Sequence, residues 1–206
     1  QGREDACAQQ VGSIARCMFP KRYFKQHGLF GETTCSFNDV EVANCAAGRL
    51  VDTASGKPTT VMPEAPDVYE NMTKLSLINV SANRGLERVP ASWGRLSDLH
   101  LDLSGCEALH GLPFSLCEES ESSSGRLMRL RALKIGGTRI QRSLNWSGQI
   151  SRGFRTSWPP TFSQVCEKVF VDTLTSLDLS HNSMTSDDVG QLKWIRKMNK
   201  LSSLYL

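Results

Sequence analysis

Most functional classes are excluded by what this 206-residue chain lacks. No apolar run approaches the ~20 residues a membrane-crossing helix needs. No signal-peptide apolar core stands at the start. Strong charge of one sign is also missing: the net charge is +3. Its positives are dispersed, with Lys21, Arg22 and Lys25 early and Lys193, Arg196, Lys197 and Lys200 late. Charge that weak gives no footing for nucleic acid or an anionic bilayer, so neither partner is expected, nor membrane contact within this segment.

Catalytic signatures are missing as well. There is no phosphate loop, no H-E-x-x-H and no G-x-S-x-G. There is no C-x-x-C, which argues against a zinc ribbon or a thioredoxin-type motif. The four histidines, His27, His100, His110 and His181, have no ligand spacing to one another. The adjacent carboxylates Glu118 and Glu119 sit in a polar, serine-rich stretch that ends at Gly125. The chain therefore reads as non-catalytic, with no metal and no cofactor expected.

What is present is a repeat. Four segments carry one phrase. They are Leu75, Ile78, Val80, Asn83, Leu86; then Leu101, Leu103, Cys106, Leu109; then Leu130, Leu133, Ile135, Thr138, Ile140; then Leu174, Leu177, Leu179, Asn182, Met184. A fifth begins at Leu201, Leu204, Leu206 and stops in mid-phrase, so the natural protein is expected to continue. The start at Gln1 rather than Met is in keeping with a processed chain or a fragment. The L-x-L core of each phrase predicts a short strand whose alternate side chains face inward. The following Asn, Cys or Thr falls where the chain must turn. An inward side chain there can bond backbone groups that the turn leaves unpaired.

The phrase resembles that of the leucine-rich-repeat family, over residues 72 to 206. The resemblance implies an α/β solenoid: a horseshoe segment with a parallel concave sheet and a helical or irregular convex side. Stability would come from stacking, since no repeat buries its apolar face alone. Asn83 to Cys106 is 23 residues, inside the family's range of about 20 to 29. Cys106 to Thr138 is 32 and Thr138 to Asn182 is 44, which places insertions at 118–125 and around 145–158. On the outer side, 187–198 reads as a helix. Ser186 would cap it, Asp187 and Asp188 fill its first turn, Arg196 and Lys197 its last, and Val189, Leu192 and Ile195 its inner stripe.

Residues 1–68 are expected to form a cysteine-rich N-terminal cap and 69–206 about four repeats plus a truncated fifth. The seven cysteines are 7, 17, 35, 45, 106, 117 and 166. A disulfide-rich cap is typical of extracellular members of the family. The stretch Cys35-Ser-Phe-Asn to Asn44-Cys45-Ala-Ala-Gly-Arg-Leu-Val resembles the cysteine pair in caps of plant-type receptor ectodomains. It departs from them in having nine residues between the cysteines and Phe37 in place of Trp. If 5–19 is a helix, Cys7 and Cys17 stand ~15 Å apart, beyond the ~7 Å between Cα atoms that a disulfide tolerates. They would then pair with Cys35 and Cys45. If Gly12 breaks the helix, Cys7–Cys17 and Cys35–Cys45 remain open. Cys117 and Cys166 lie on outer arcs of adjacent turns and either bridge them or stay as two buried thiols. Cys106, at an inward turn position, is expected free and buried.

Asn71-Met-Thr, Asn79-Val-Ser and Asn145-Trp-Ser are glycan acceptor motifs. With the cysteines they point to an extracellular setting. Strand parity points Leu77, Asn79, His100, Asp102, Ala132, Lys134, Ser176, Asp178, Ser203 and Tyr205 outward on the concave face. Of these, His100, Asp102, Lys134, Ser176, Asp178, Ser203 and Tyr205 are the candidate ligand-contact residues. The resemblance implies recognition of a protein or peptide, with a co-receptor as a further partner. The extracellular part of a signalling membrane receptor is the leading reading. A secreted inhibitor or matrix component is the alternative, as is an intracellular sensor, because Leu101-Asp-Leu-Ser-Gly-Cys106-Glu-Ala-Leu109 also resembles repeats of cytosolic plant immune receptors.

Overall fold

The computed structural model describes residues 41–47, 50, 57, 60–62, 69, 72, 74–109, 111–117, 130–138, 169–182 and 192–206. Six short strands form one sheet: β1 (Val42–Asn44), β2 (Leu77–Asn79), β3 (Leu99–Asp102), β4 (Leu130–Lys134), β5 (Ser176–Asp178) and β6 (Ser203–Tyr205). Their order in the sheet is their order in the chain, and every pairing is parallel. Parallel neighbours need a return path for the chain. The described parts of those paths carry 3-10 helices at Ala91–Arg95, Phe114–Cys117 and Leu192–Lys197, and a helical turn at 169–173.

The central leucine of each phrase occupies an equivalent place. Ala43, Ile78, Leu101, Leu133, Leu177 and Leu204 lie in one register row across the sheet. From Ala43 to Leu177 these side chains are buried in a single apolar core, together with Val80, Leu103, Ile135 and Leu179 two residues further on. Period-two alternation and in-register stacking therefore produce one inward face.

The leading leucine of the second phrase arrives by a different route. Counting back three residues from Leu101 gives Asp98, which has a positive φ of 53°. Leu99 instead pairs with Leu130, through a register irregularity between Leu99 and His100, and is 1 % exposed. The bulge inserts Arg131, whose Nε bonds the Asp98 carboxylate at 2.7 Å. One residue of slip would have turned the leucines outward; the bulge absorbs it.

Two features depart from the sequence expectation. The sheet begins at Val42, inside the segment read as a cap, because Val-Ala-Asn takes the strand position without a leucine. The outer helix expected over 187–198 is a 3-10 helix where it is described, at Leu192–Lys197, with Met198 buried behind it. The expected cap Ser186 and the residues 187–191 lie outside the described residues.

Candidate functional site: the outer face of the sheet

The strand exits share a phrase that the leucines conceal: Asn44-Cys-Ala, Asn79-Val-Ser, Asp102-Leu-Ser and Asp178-Leu-Ser. In each, the Oδ1 of the Asn or Asp accepts the backbone N–H two residues on. The distances are 3.3 Å for Ala46, 3.0 Å for Ser81, 3.0 Å for Ser104 and 2.9 Å for Ser180. This local bond pulls the chain out of the strand and into a turn. The next residue takes a left-handed conformation at Ala47, Ala82, Gly105 and His181, as does Gly137 in the turn after β4, all with φ between 57° and 71°. Four of these N–H groups, those of Ala47, Ala82, Gly105 and Gly137, bond the carbonyl of the neighbouring turn at 2.7–2.8 Å. The turns are thereby stacked as the strands are.

Below the turns runs a buried polar row. Asn83 Nδ2 donates to the Cys45 carbonyl at 2.8 Å and the Val80 carbonyl at 2.7 Å, while its Oδ1 accepts from the Leu50 N–H at 3.3 Å. Asn182 Nδ2 repeats this with the Ile135 and Leu179 carbonyls at 2.9 and 2.8 Å. Thr138 reaches the Ile135 carbonyl and the Asn182 side chain. Cys106 offers its thiol to the Val80 carbonyl at 3.2 Å. It is free and buried, as expected, and burial pushes its pKa up to about 11.

The opposite face presents two outward rows. One holds Asn44, Asn79, Asp102, Lys134, Asp178 and Tyr205 in register; the other holds Leu77, His100, Ala132, Ser176 and Ser203. The structure thus brings together all seven expected contact residues. His100, Lys134 and Tyr205 are exposed, whereas Asp102, Ser176, Asp178 and Ser203 are half-buried. Ala132 also lies on this face but is only 6 % exposed, so it forms a floor. Lys134 Nζ stands 3.8 Å from Asp102 Oδ2.

Asp102 and Asp178, expected as contact residues, are also turn formers. Their Oδ1 atoms are committed to the turns, which leaves Oδ2 outside those bonds. The recurring Asx-x-Ser triplet was the available signal. It also gives the Asn79-Val-Ser acceptor motif a second meaning, because that triplet is the turn phrase of the second strand. Asn44 was missed as a row member for want of a leucine phrase around it.

Several expected sites lie outside the described residues: Cys7, Cys17, Cys35, Cys166, Asn71, Asn145 and the side chain of Cys117. Cys45 is disulfide-bonded and fully buried. Among the described residues no group of three or more His, Cys, Asp or Glu side chains could hold a metal ion, and no helix is long and apolar enough to cross a membrane. No family model matches the chain, and no curated protein matches its sequence.

Proposed function

We propose that the chain is a leucine-rich-repeat solenoid that binds a protein or peptide through the outer face of its parallel sheet. The observation that carries this reading is the pair of in-register outward rows on one six-stranded parallel sheet. They are built on a frame whose polar groups are tied into turns. A sheet fixed in this way presents side chains at a regular ~4.8 Å spacing with little ordering left to do on binding. Stacked repeats use extended surfaces of this kind for recognition. The mixed chemistry of the face, with two carboxylates, an ammonium, an imidazole, a phenol and hydroxyls, suits a polypeptide better than a uniformly charged polymer.

The setting we propose is extracellular, as part of a receptor or receptor-like protein with a disulfide-held cap before the repeats. The disulfide at Cys45 supports this, since such bonds persist in oxidising compartments. Alkylation of the native protein with and without reductant tests the setting. In an extracellular protein, denaturation alone exposes the free Cys106 and the disulfide-bonded cysteines label only after reduction; one purified from its own source with all seven cysteines labelled by denaturation alone would be intracellular.

Binding is tested by panning a displayed random-peptide library on the full chain and mapping the enriched peptides by amide chemical shifts. The expected footprint covers 100–102, 132–134, 176–178 and 203–205. A footprint on the outer side, around 91–95, would overturn the assignment of the face.

A further inference from the structure

The two carboxylates on the outward row are not equivalent. Asp102 and Asp178 flank Lys134 in register, one strand away on each side. Lys134 pairs with Asp102. No ion pair joins Asp178 to a cation among the described residues, although it is half-buried. Its Oδ1 is held by the Ser180 N–H at 2.9 Å, so the carboxylate is fixed in position with Oδ2 left over. Next to it in the row stands Tyr205, 56 % exposed. In the adjoining row lie Ala132, Ser176 and Ser203, the smallest run of side chains on the face.

Resting on the reading of this face as the binding surface, we infer that Asp178 and Tyr205 form a docking site for a basic side chain of a peptide partner. Charge complementarity selects the occupant. A fixed, half-desolvated carboxylate gains most from a cation that brings its own donors. An exposed aromatic ring beside it adds attraction for the same cation. The small floor gives an aliphatic stem somewhere to lie while the charged head reaches Asp178. Guanidinium meets all three conditions best, because it is planar and weakly hydrated. An acidic side chain would meet repulsion at Asp178, and its counter-charge, Lys134, is already engaged by Asp102.

The fold itself supplies the variant that isolates charge from structure. Asn44 and Asn79 make the same Oδ1 bond with an amide in place of a carboxylate. Asp178→Asn therefore keeps the turn and removes only the charge. The probes are two pools of acetylated, amidated hexapeptides, identical except that one fixed position is arginine in the first and citrulline in the second. The reporter is the Ser180 amide, which donates to Asp178 Oδ1. The arginine pool is expected to shift the Ser180 and Tyr205 signals of the full chain, and the citrulline pool to leave them in place. Asp178→Asn should weaken the arginine pool by about tenfold, and Tyr205→Leu by about threefold. Equal response to both pools, or an unchanged affinity in Asp178→Asn, overturns the cation site. If amides at 100–102 and 132–134 then still move, the binding face survives and only its preferred chemistry is wrong. If neither pool moves any amide of the two rows, the face reading falls as well.

Discussion

Asn83 Nδ2 lies 2.8 Å from the carbonyl oxygen of Cys45, a residue 38 positions earlier in the chain. One buried amide thereby closes its own turn, through the Val80 carbonyl, and locks the preceding turn against it. Asn182 does the same between the turns at Ile135 and Leu179.

Asn83→Ala strands the buried Cys45 carbonyl and the Leu50 N–H, and leaves the Val80 carbonyl with only the Cys106 thiol, so it should cost about 2–4 kcal/mol in a urea unfolding series. Asn83→Asp keeps the acceptor but sets an oxygen against two carbonyls, and should cost no less. A loss under about 1 kcal/mol for the alanine variant would mean that water replaces these bonds freely.

Substitutions of Asp102 should separate turn from charge. Asp102→Asn keeps the Ser104 N–H bond and loses only the Lys134 pair, a change within about 0.5 kcal/mol. Asp102→Ala loses the turn bond too and should cost about 1 kcal/mol more. Matched thermal melts of the two variants measure the difference, and equal melting points would remove the turn from the account.

The close approach of the 3-10 helices at Ala91–Arg95 and Phe114–Cys117 depends on Gly94. A Cβ at Gly94 would collide with the Ser115 backbone. Gly94→Ala should therefore destabilise by about 1–3 kcal/mol through overpacking. Gly85, with nothing within 4 Å of the corresponding point, is the control position and should accept alanine.

Cys106 makes stability depend on alkaline pH. Its thiol ionises near 9.0 when unperturbed, while burial, aided by the Asp102 charge and opposed by a backbone hydrogen bond from Asn83, holds the proton to about 11 in the fold. Between those values the unfolded chain binds fewer protons than the folded one. The contribution is thus whole below pH 9.0 and is lost as pH rises toward about 11, at up to ~1.4 kcal/mol per pH unit. Cys106→Ala should flatten that part of the stability profile. In the native protein Cys106 should also resist iodoacetamide at neutral pH and label only on unfolding.

How much of this was legible depends on the residue. Leu101, Leu133 and Leu177 could be aligned from spacing alone, because a side chain's face in a strand follows from counting by two. The inward place of Asn83, Cys106, Thr138 and Asn182 was equally readable, since the position recurs after every strand phrase. Leu99 was not readable: its role depends on a bulge at Arg131 that only the neighbouring strand imposes. Nor was β1, where Val-Ala-Asn carries no leucine and is recruited by the exposed edge of β2. The helix expected over 187–198 had good end residues, yet its described part, Leu192–Lys197, winds as a 3-10 helix. Caps set where a helix can start and stop, but packing beneath it sets how tightly it winds.

The seven outer-face residues were likewise found by parity. That Asp102 is spoken for and Asp178 is not could not have been found that way. Both read Asp-Leu-Ser in the chain, and only the placement of Lys134 between them, pairing to one side, makes them different. By itself the sequence determined which side chains face in, which face out and where the chain turns, because those follow from local periodicity and the needs of the backbone. The tertiary structure decided which strands are neighbours, where the register slips and which carboxylate has no ion pair among the described residues, because those depend on contacts between residues far apart in the chain.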